Sequence, residues 1–181
     1  MKFMESIVLA GGCFWCIETI YNELKGVESA ISGYSGGSTD NPSYEAVCSG
    51  RTGHAEVVKV TFNPEIISLK EILEIFFTMH DPTTLNRQGN DVGTQYRSAV
   101  FYQGDFQRKV TEDIIKEFEE KKIWKNKIVT EIVPLKKFYP AEDYHQQYYE
   151  KNMNQNMYCK MVVEPKVIKF RKKFFEKLKS K

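Results

Sequence analysis

No apolar run in this 181-residue chain approaches the roughly 18 to 20 residues that a membrane-spanning helix requires. Internal repeats and low-complexity linkers are also missing. The stretch Met1 to Cys13 offers only Ile7, Val8, Leu9 and Ala10 in succession, with Glu5 just before them. That falls short of the roughly 7 to 15 residues of a secretory h-region. Histidine is scarce: His54, His80 and His145 are the three, and none stands at His-x-x-x-His spacing. Charge of one sign is scarce too, with 26 Lys plus Arg against 24 Asp plus Glu. These absences point to a cytoplasmic, monomeric protein with no membrane or nucleic-acid partner. In such a reducing compartment, four cysteines are catalytic or metal-binding rather than structural disulfides.

What is present is the composition of a folded domain. Hydrophobic residues make up 41% and charged residues 28%, which excludes a disordered chain and suits one catalytic domain over 1–181. The balance of charge hides an asymmetry. Residues 165–181 hold eight cations against Glu176 alone, a net +7 within a formal +2, so residues 1–164 carry −5. Val167, Phe170, Phe174 and Leu178 recur there at helical spacing, which predicts a basic terminal helix over 165–181, packed by its apolar stripe with its charges in water.

Strands are expected at Ser6–Ala10, Val27–Tyr34, Ala55–Phe62, Tyr96–Gln103 and Ile128–Leu135, where β-branched and aromatic runs end in turn residues. Pro134 puts the last at an edge or ends it. Helical stripes lie between them: Ile17, Ile20 and Leu24; Leu69, Ile72, Leu73 and Phe76, with Ser68 as N-cap; Val110, Ile114 and Phe118. The order β-α-β-β-α-β-α-β predicts an α+β fold, a two-layer α/β sandwich with a mixed, largely antiparallel sheet. Its core would be ferredoxin-like with extensions. The polar stretches Ser35–Gly53 and Asp81–Gln95 are long enough to be functional loops.

The sharpest local feature is Gly11-Gly12-Cys13-Phe14-Trp15-Cys16. The glycines can turn the chain from strand to helix and leave Cys13 at a helix N-terminus, which favours its thiolate. Cys16, at i+3, lies on the same face. Three readings stand: a nucleophilic or dithiol site, two cysteines continuing the core stripe, or half of a zinc site whose other ligands are not apparent. Further along, Glu56 shares a strand face with Val58, Val60 and Phe62. Burial there raises a carboxyl's pKa and keeps it a proton donor. Tyr44 and Tyr96 border the polar loops and can add O–H donors.

Together, Gly12-Cys13-Phe14-Trp15-Cys16, Gly33-Tyr34-Ser35-Gly36-Gly37, Asn41-Pro42-Ser43-Tyr44-Glu45, Gly53-His54-Ala55-Glu56, Asp81-Pro82-Thr83 and the run from Gln88 to Ser98 resemble the A-type peptide methionine sulfoxide reductases. The resemblance implies reduction of the S epimer of methionine sulfoxide, free or in proteins, through a cysteine sulfenic acid and then a disulfide. It implies Cys13 as nucleophile and Glu56 as acid, with Tyr44, Asp91 and Tyr96 around the sulfoxide oxygen. Phe14 and Trp15 would hold the substrate methyl. No bound cofactor or metal is implied; thioredoxin, or a small dithiol, returns the disulfide to thiols. Two cysteines are candidates to resolve the sulfenic acid, Cys159 and Cys16; the resemblance favours Cys159, which matches the C-terminal place of the family's resolving cysteine, and a first-turn disulfide through Cys16 would need an awkward approach of Cβ atoms. Cys48 reads as structural. The alternatives are a dithiol disulfide oxidoreductase using Cys13 and Cys16, and a zinc-stabilised or basic-tail binding module.

Overall fold

A computed structural model describes residues 3–180. Met1, Lys2 and Lys181 lie outside the described residues, and with them the outermost positions of the expected domain and basic helix. The alternating run at the start forms β1 (Glu5–Gly11), and the Ile17 stripe forms α1 (Phe14–Asn22). They are followed by β2 (Val27–Ser35), the short α2 (Tyr44–Cys48), β3 (Ala55–Phe62) and α3 (Leu69–Met79). Ser68 caps α3 in a full capping box: its side chain accepts the Glu71 N–H, and the Glu71 carboxylate accepts the Ser68 N–H.

A two-stranded hairpin, β4 (Arg87–Gln88) and β5 (Asp91–Val92), follows. Then come β6 (Ser98–Tyr102), α4 (Asp105–Glu120), β7 (Glu131–Pro134), β8 (Tyr139–Pro140), α5 (Tyr148–Asn152) and α6 (Glu164–Lys173).

The main sheet runs β7-β6-β1-β3-β2-β8. Its inner four strands pair antiparallel in the order of a split βαβ unit, and β7 joins β6 in parallel at one edge. The expected mixed, largely antiparallel α+β sandwich is therefore the fold. One sheet face, through Ile7, Leu9, Val58, Val60 and Phe62, packs on α1, α3 and α4 in the principal core. The opposite face, through Val8, Ala10, Val57 and Phe101, is covered by Val133, Leu135 and Phe138.

Three boundaries differ from the sequence reading. The strand expected from Tyr96 begins at Ser98, because Gly93 at φ 147 opens a 3-10 turn over Thr94–Tyr96 and the Arg97 side chain donates back to Thr94 O. The strand expected over Ile128–Leu135 is confined to Glu131–Pro134, where it ends on its proline at the sheet edge.

The third is the terminal helix, which stops at Lys173. The chain then turns, and Leu178 bridges Leu24, while the Lys25 N–H donates to Lys177 O at 2.8 Å. Pairing with the end of α1 outcompetes continued helix. Val167 and Phe170 are buried as expected, Arg171 pairs with Glu23, and Phe175 is exposed. Among the described residues no helix is long and apolar enough to cross a membrane.

Candidate active site

The turn from β1 to α1 builds the site's centre. Gly12 sits at φ 90, and a Cβ there would come 2.5 Å from Gln88 Cγ, so the turn requires glycine both for its backbone and for the close approach of the β4–β5 hairpin. Gln88 in turn locks the hairpin to Asp81, accepting its N–H and donating to its carbonyl, both at 2.9 Å. Cys13 becomes the N-cap residue of α1 without a side-chain capping bond.

Glu56, at the start of β3 and 2% exposed, accepts the Phe14 N–H at 3.2 Å. The carboxyl is thus bonded to the amide that follows Cys13. Burial pushes the Glu56 carboxyl up to about 8, helped by the charges of Asp91 and Cys16 and opposed by the Phe14 N–H. It is protonated at neutral pH, as a buried carboxyl on an apolar face should be.

Cys13 departs from the sequence reading. Burial, then its hydrogen bond with Cys16, holds its thiol well above that of a free cysteine. The helix terminus favours a thiolate, but desolvation of a side chain 7% exposed outweighs it. The two thiols titrate as a pair: burial raises Cys13, and contact with Cys13 lowers Cys16.

Around this pair the expected residues converge. Burial and the charge of Glu56 raise the Tyr44 and Tyr96 hydroxyls well above a free phenol, so both stay donors. Asp91, carried on the hairpin, accepts the Tyr158 O–H. Phe14 is buried and stacks against Tyr44 with ring centroids 6.4 Å apart. Trp15 is half-buried and lies against Tyr148 at 3.8 Å with an interplanar angle of 8°. The two adjacent aromatics thus divide between the core and the rim of the site.

Cys159 is fully buried, on a π-helical turn (Cys159–Val163), in one apolar cluster with Cys13, Cys16, Tyr149, Val163 and Val167. Cys48, expected to be structural, is exposed and lies outside the buried cluster of the other three cysteines. Among the described residues no group of three or more His, Cys, Asp or Glu is placed to hold a metal.

The sequence reading missed the segment Ala141–Tyr149 and two tyrosines, Tyr34 and Tyr158. Glu142 accepts both the Tyr34 O–H at 2.9 Å and the Tyr44 N–H at 3.1 Å, fixing the start of α2. His145 Nδ1 accepts the Trp15 indole N–H at 3.2 Å. The available signal was compositional only: an aromatic and amide run, Tyr144 to Tyr149, with neither helical nor strand periodicity.

Three thiols in one buried cluster and a carboxyl raised by burial, on an α+β sandwich, fit the class of thiol-dependent oxidoreductases. A family profile described as peptide methionine sulfoxide reductase matches residues 5–179. A curated relative, peptide methionine sulfoxide reductase MsrA of Saccharolobus solfataricus, is 58% identical over 176 residues, 97% of this chain and 98% of that protein. Among solved structures, methionine sulfoxide reductase A of Corynebacterium diphtheriae aligns with a TM-score of 0.81 at 37% identity, covering 86% of this chain and 78% of that one. Mxr1 of Saccharomyces cerevisiae in reduced form aligns at 0.77 and 43% identity, covering 84% and 88%. The same yeast protein in complex with Trx2 aligns at 0.55 and 33%, covering 80% and 84%. The chain belongs to the peptide methionine sulfoxide reductase family, and it is an oxidoreductase acting on methionine sulfoxide.

Proposed function

We propose that the chain works as one catalytic domain, with its basic terminal segment packed on it, that reduces the S epimer of methionine sulfoxide, free or in oxidised proteins. Cys13 Sγ attacks the sulfoxide sulfur while Glu56 gives its proton to the sulfoxide oxygen, and Tyr44, Tyr96 and Asp91 organise donors around that oxygen. The sulfur–sulfur bond formed in the attack and the sulfur–oxygen bond of the substrate then break as the hydroxyl passes to Cys13, leaving a sulfenic acid, with the electron pair of the sulfur–sulfur bond going to the departing thioether. Methionine leaves, reduced by two electrons. The proton lost by the Cys13 thiol replaces the one given by Glu56, so the acid is restored. Phe14 and Trp15 hold the substrate methyl.

The observation that carries this reading is the Phe14 N–H bond to Glu56, which puts a protonated carboxyl beside the nucleophile. Cys159 resolves the sulfenic acid, forming a disulfide and releasing water; its burial in one cluster with Cys13 and Cys16 supports that choice. Cys16 is the second candidate, supported by its hydrogen bond to Cys13. No cofactor is bound; a dithiol, thioredoxin or a small-molecule one, restores the thiols by exchange. Mxr1 in complex with Trx2 supports a protein reductant of this kind. The protein acts as a monomer in the cytoplasm, where such dithiols are kept reduced.

Peptide mapping after one equivalent of substrate tests the assignment. The expected product is a Cys13–Cys159 disulfide with Cys48 still free. A Cys13–Cys16 disulfide would transfer the resolving role, and methionine release by Cys13→Ser would overturn the nucleophile.

A further inference from the structure

The segment Ala141–Tyr149 gives no group to the chemistry above, yet it walls the site for the substrate methyl through His145 and Tyr148. It has little means of holding itself. The Asp143–His145 turn is three residues long and α5 is five. Gln147, between them, sits at φ 55, in the left-handed region that is strained for a non-glycine residue. An outside anchor must hold it there.

That anchor is Glu18, one helical step from Trp15 on α1. Its Oε1 accepts the Gln147 N–H at 2.7 Å and its Oε2 accepts the Ser32 O–H of β2 at 2.8 Å. Ser32 completes the joint: its N–H donates to Gln146 Oε1 at 3.0 Å, and its carbonyl accepts from Gln146 Nε2 at 2.9 Å. Three separate elements therefore meet on one carboxyl that is 1% exposed. Burying it costs desolvation that an apolar side chain would avoid, so packing alone does not explain it. Burial raises its pKa to about 7, with Glu150 adding to the rise and Lys151 and the two hydrogen bonds opposing it.

We propose that Glu18 is a positioning residue for the substrate-methyl site: by holding Gln147 against β2 it sets His145 and Tyr148 around Trp15, and so sets affinity for the sulfoxide. This rests on the assignment of Trp15 to the substrate methyl, and it adds a residue that controls that site without touching the reacting atoms. Its effect belongs in KM, because Cys13 and Glu56 are held by other contacts.

The test uses Glu18→Ala and Glu18→Gln, with steady-state kinetics on methionine sulfoxide and emission of Trp15 read in a Trp124→Phe background. Glu18→Ala should raise KM about tenfold and change kcat by no more than about threefold, with a red shift of Trp15 emission as its stacking loosens. Glu18→Gln keeps an oxygen for the Gln147 N–H and should restore both readings. Should Glu18→Ala fail to fold, Ser32→Ala removes one arm of the joint and should raise KM about threefold. The proposal is overturned by unchanged KM in a folded Glu18→Ala or Ser32→Ala, by unmoved emission, or by an equal loss of kcat in Glu18→Ala and Glu18→Gln with KM constant. Emission is read without substrate, so it reports the clamp even if the parent enzyme forms no methionine, an outcome that would count against the proposed reaction instead.

Discussion

Glu56, the proposed acid, carries a cost in stability. Its carboxyl titrates near 4.5 when free and at about 8 in the fold. The folded state therefore binds this proton over a range in which the unfolded chain has lost it. The stability it contributes is complete below about pH 4.5 and is lost as pH rises through about 8. Glu56→Gln, which never ionises, should gain on the parent as pH rises, the difference reaching a few kcal/mol by pH 9 in urea unfolding. The same replacement should slow methionine formation by roughly 10² to 10⁴, since an amide gives no acid proton. For the parent, kcat/KM should fall as pH rises through about 8, measured under single turnover to keep recycling out of the rate.

At this scale much was legible. The alternation that places Glu56 with Val58 and Val60 is a sequence property, and so is the Gly-Gly turn before Cys13. The raised Cys13 thiol was not legible, because it comes from what packs over it: Tyr149, Val163 and Val167 arrive from more than a hundred residues away.

Elements read well where local signals agreed. Ser68 and Glu71 announce their capping box, and α3 begins where they require. Ser68→Ala should lower stability by about 1 kcal/mol in urea unfolding and leave kcat/KM unchanged, because the box lies at the N-terminal end of α3, where Glu71 pairs with Lys177 and not with a site residue. Elements read poorly where a tertiary bond decided them. The hairpin that carries Asp91 is held by Gln88 against Asp81 and Gly12, and neither contact has a periodic signature.

The π-helical turn at Cys159 is of the same kind. Turns of this kind are frequent at functional sites, which suits the proposed resolving role of Cys159. Cys159→Ser should release one methionine per enzyme and then stop with thioredoxin as reductant, whereas Cys16→Ser should continue to turn over. Quantifying methionine against enzyme separates the two.

For the molecule as a whole, the sandwich followed from the order of strands and helices, while the path of the last third did not. Segments 141–149 and 159–178 return to α1 through Glu18, His145, Arg171 and Leu178, joining residues that are distant in sequence. One consequence is measurable with a thiol reagent. The native reduced protein should label quickly at Cys48 alone, with Cys13, Cys16 and Cys159 slow until denaturant is added.

Another consequence concerns synthesis on the ribosome. The Gly-Gly-Cys turn is specified by residues 11–16, yet the aromatic wall beside Trp15 and the third thiol of the cluster come from residues 145–159. On the proposed mechanism a ribosome makes Cys13 more than a hundred residues before the cysteine that would resolve it. A chain halted between the two could spend its thiol once at most, and repeated turnover must await residue 159.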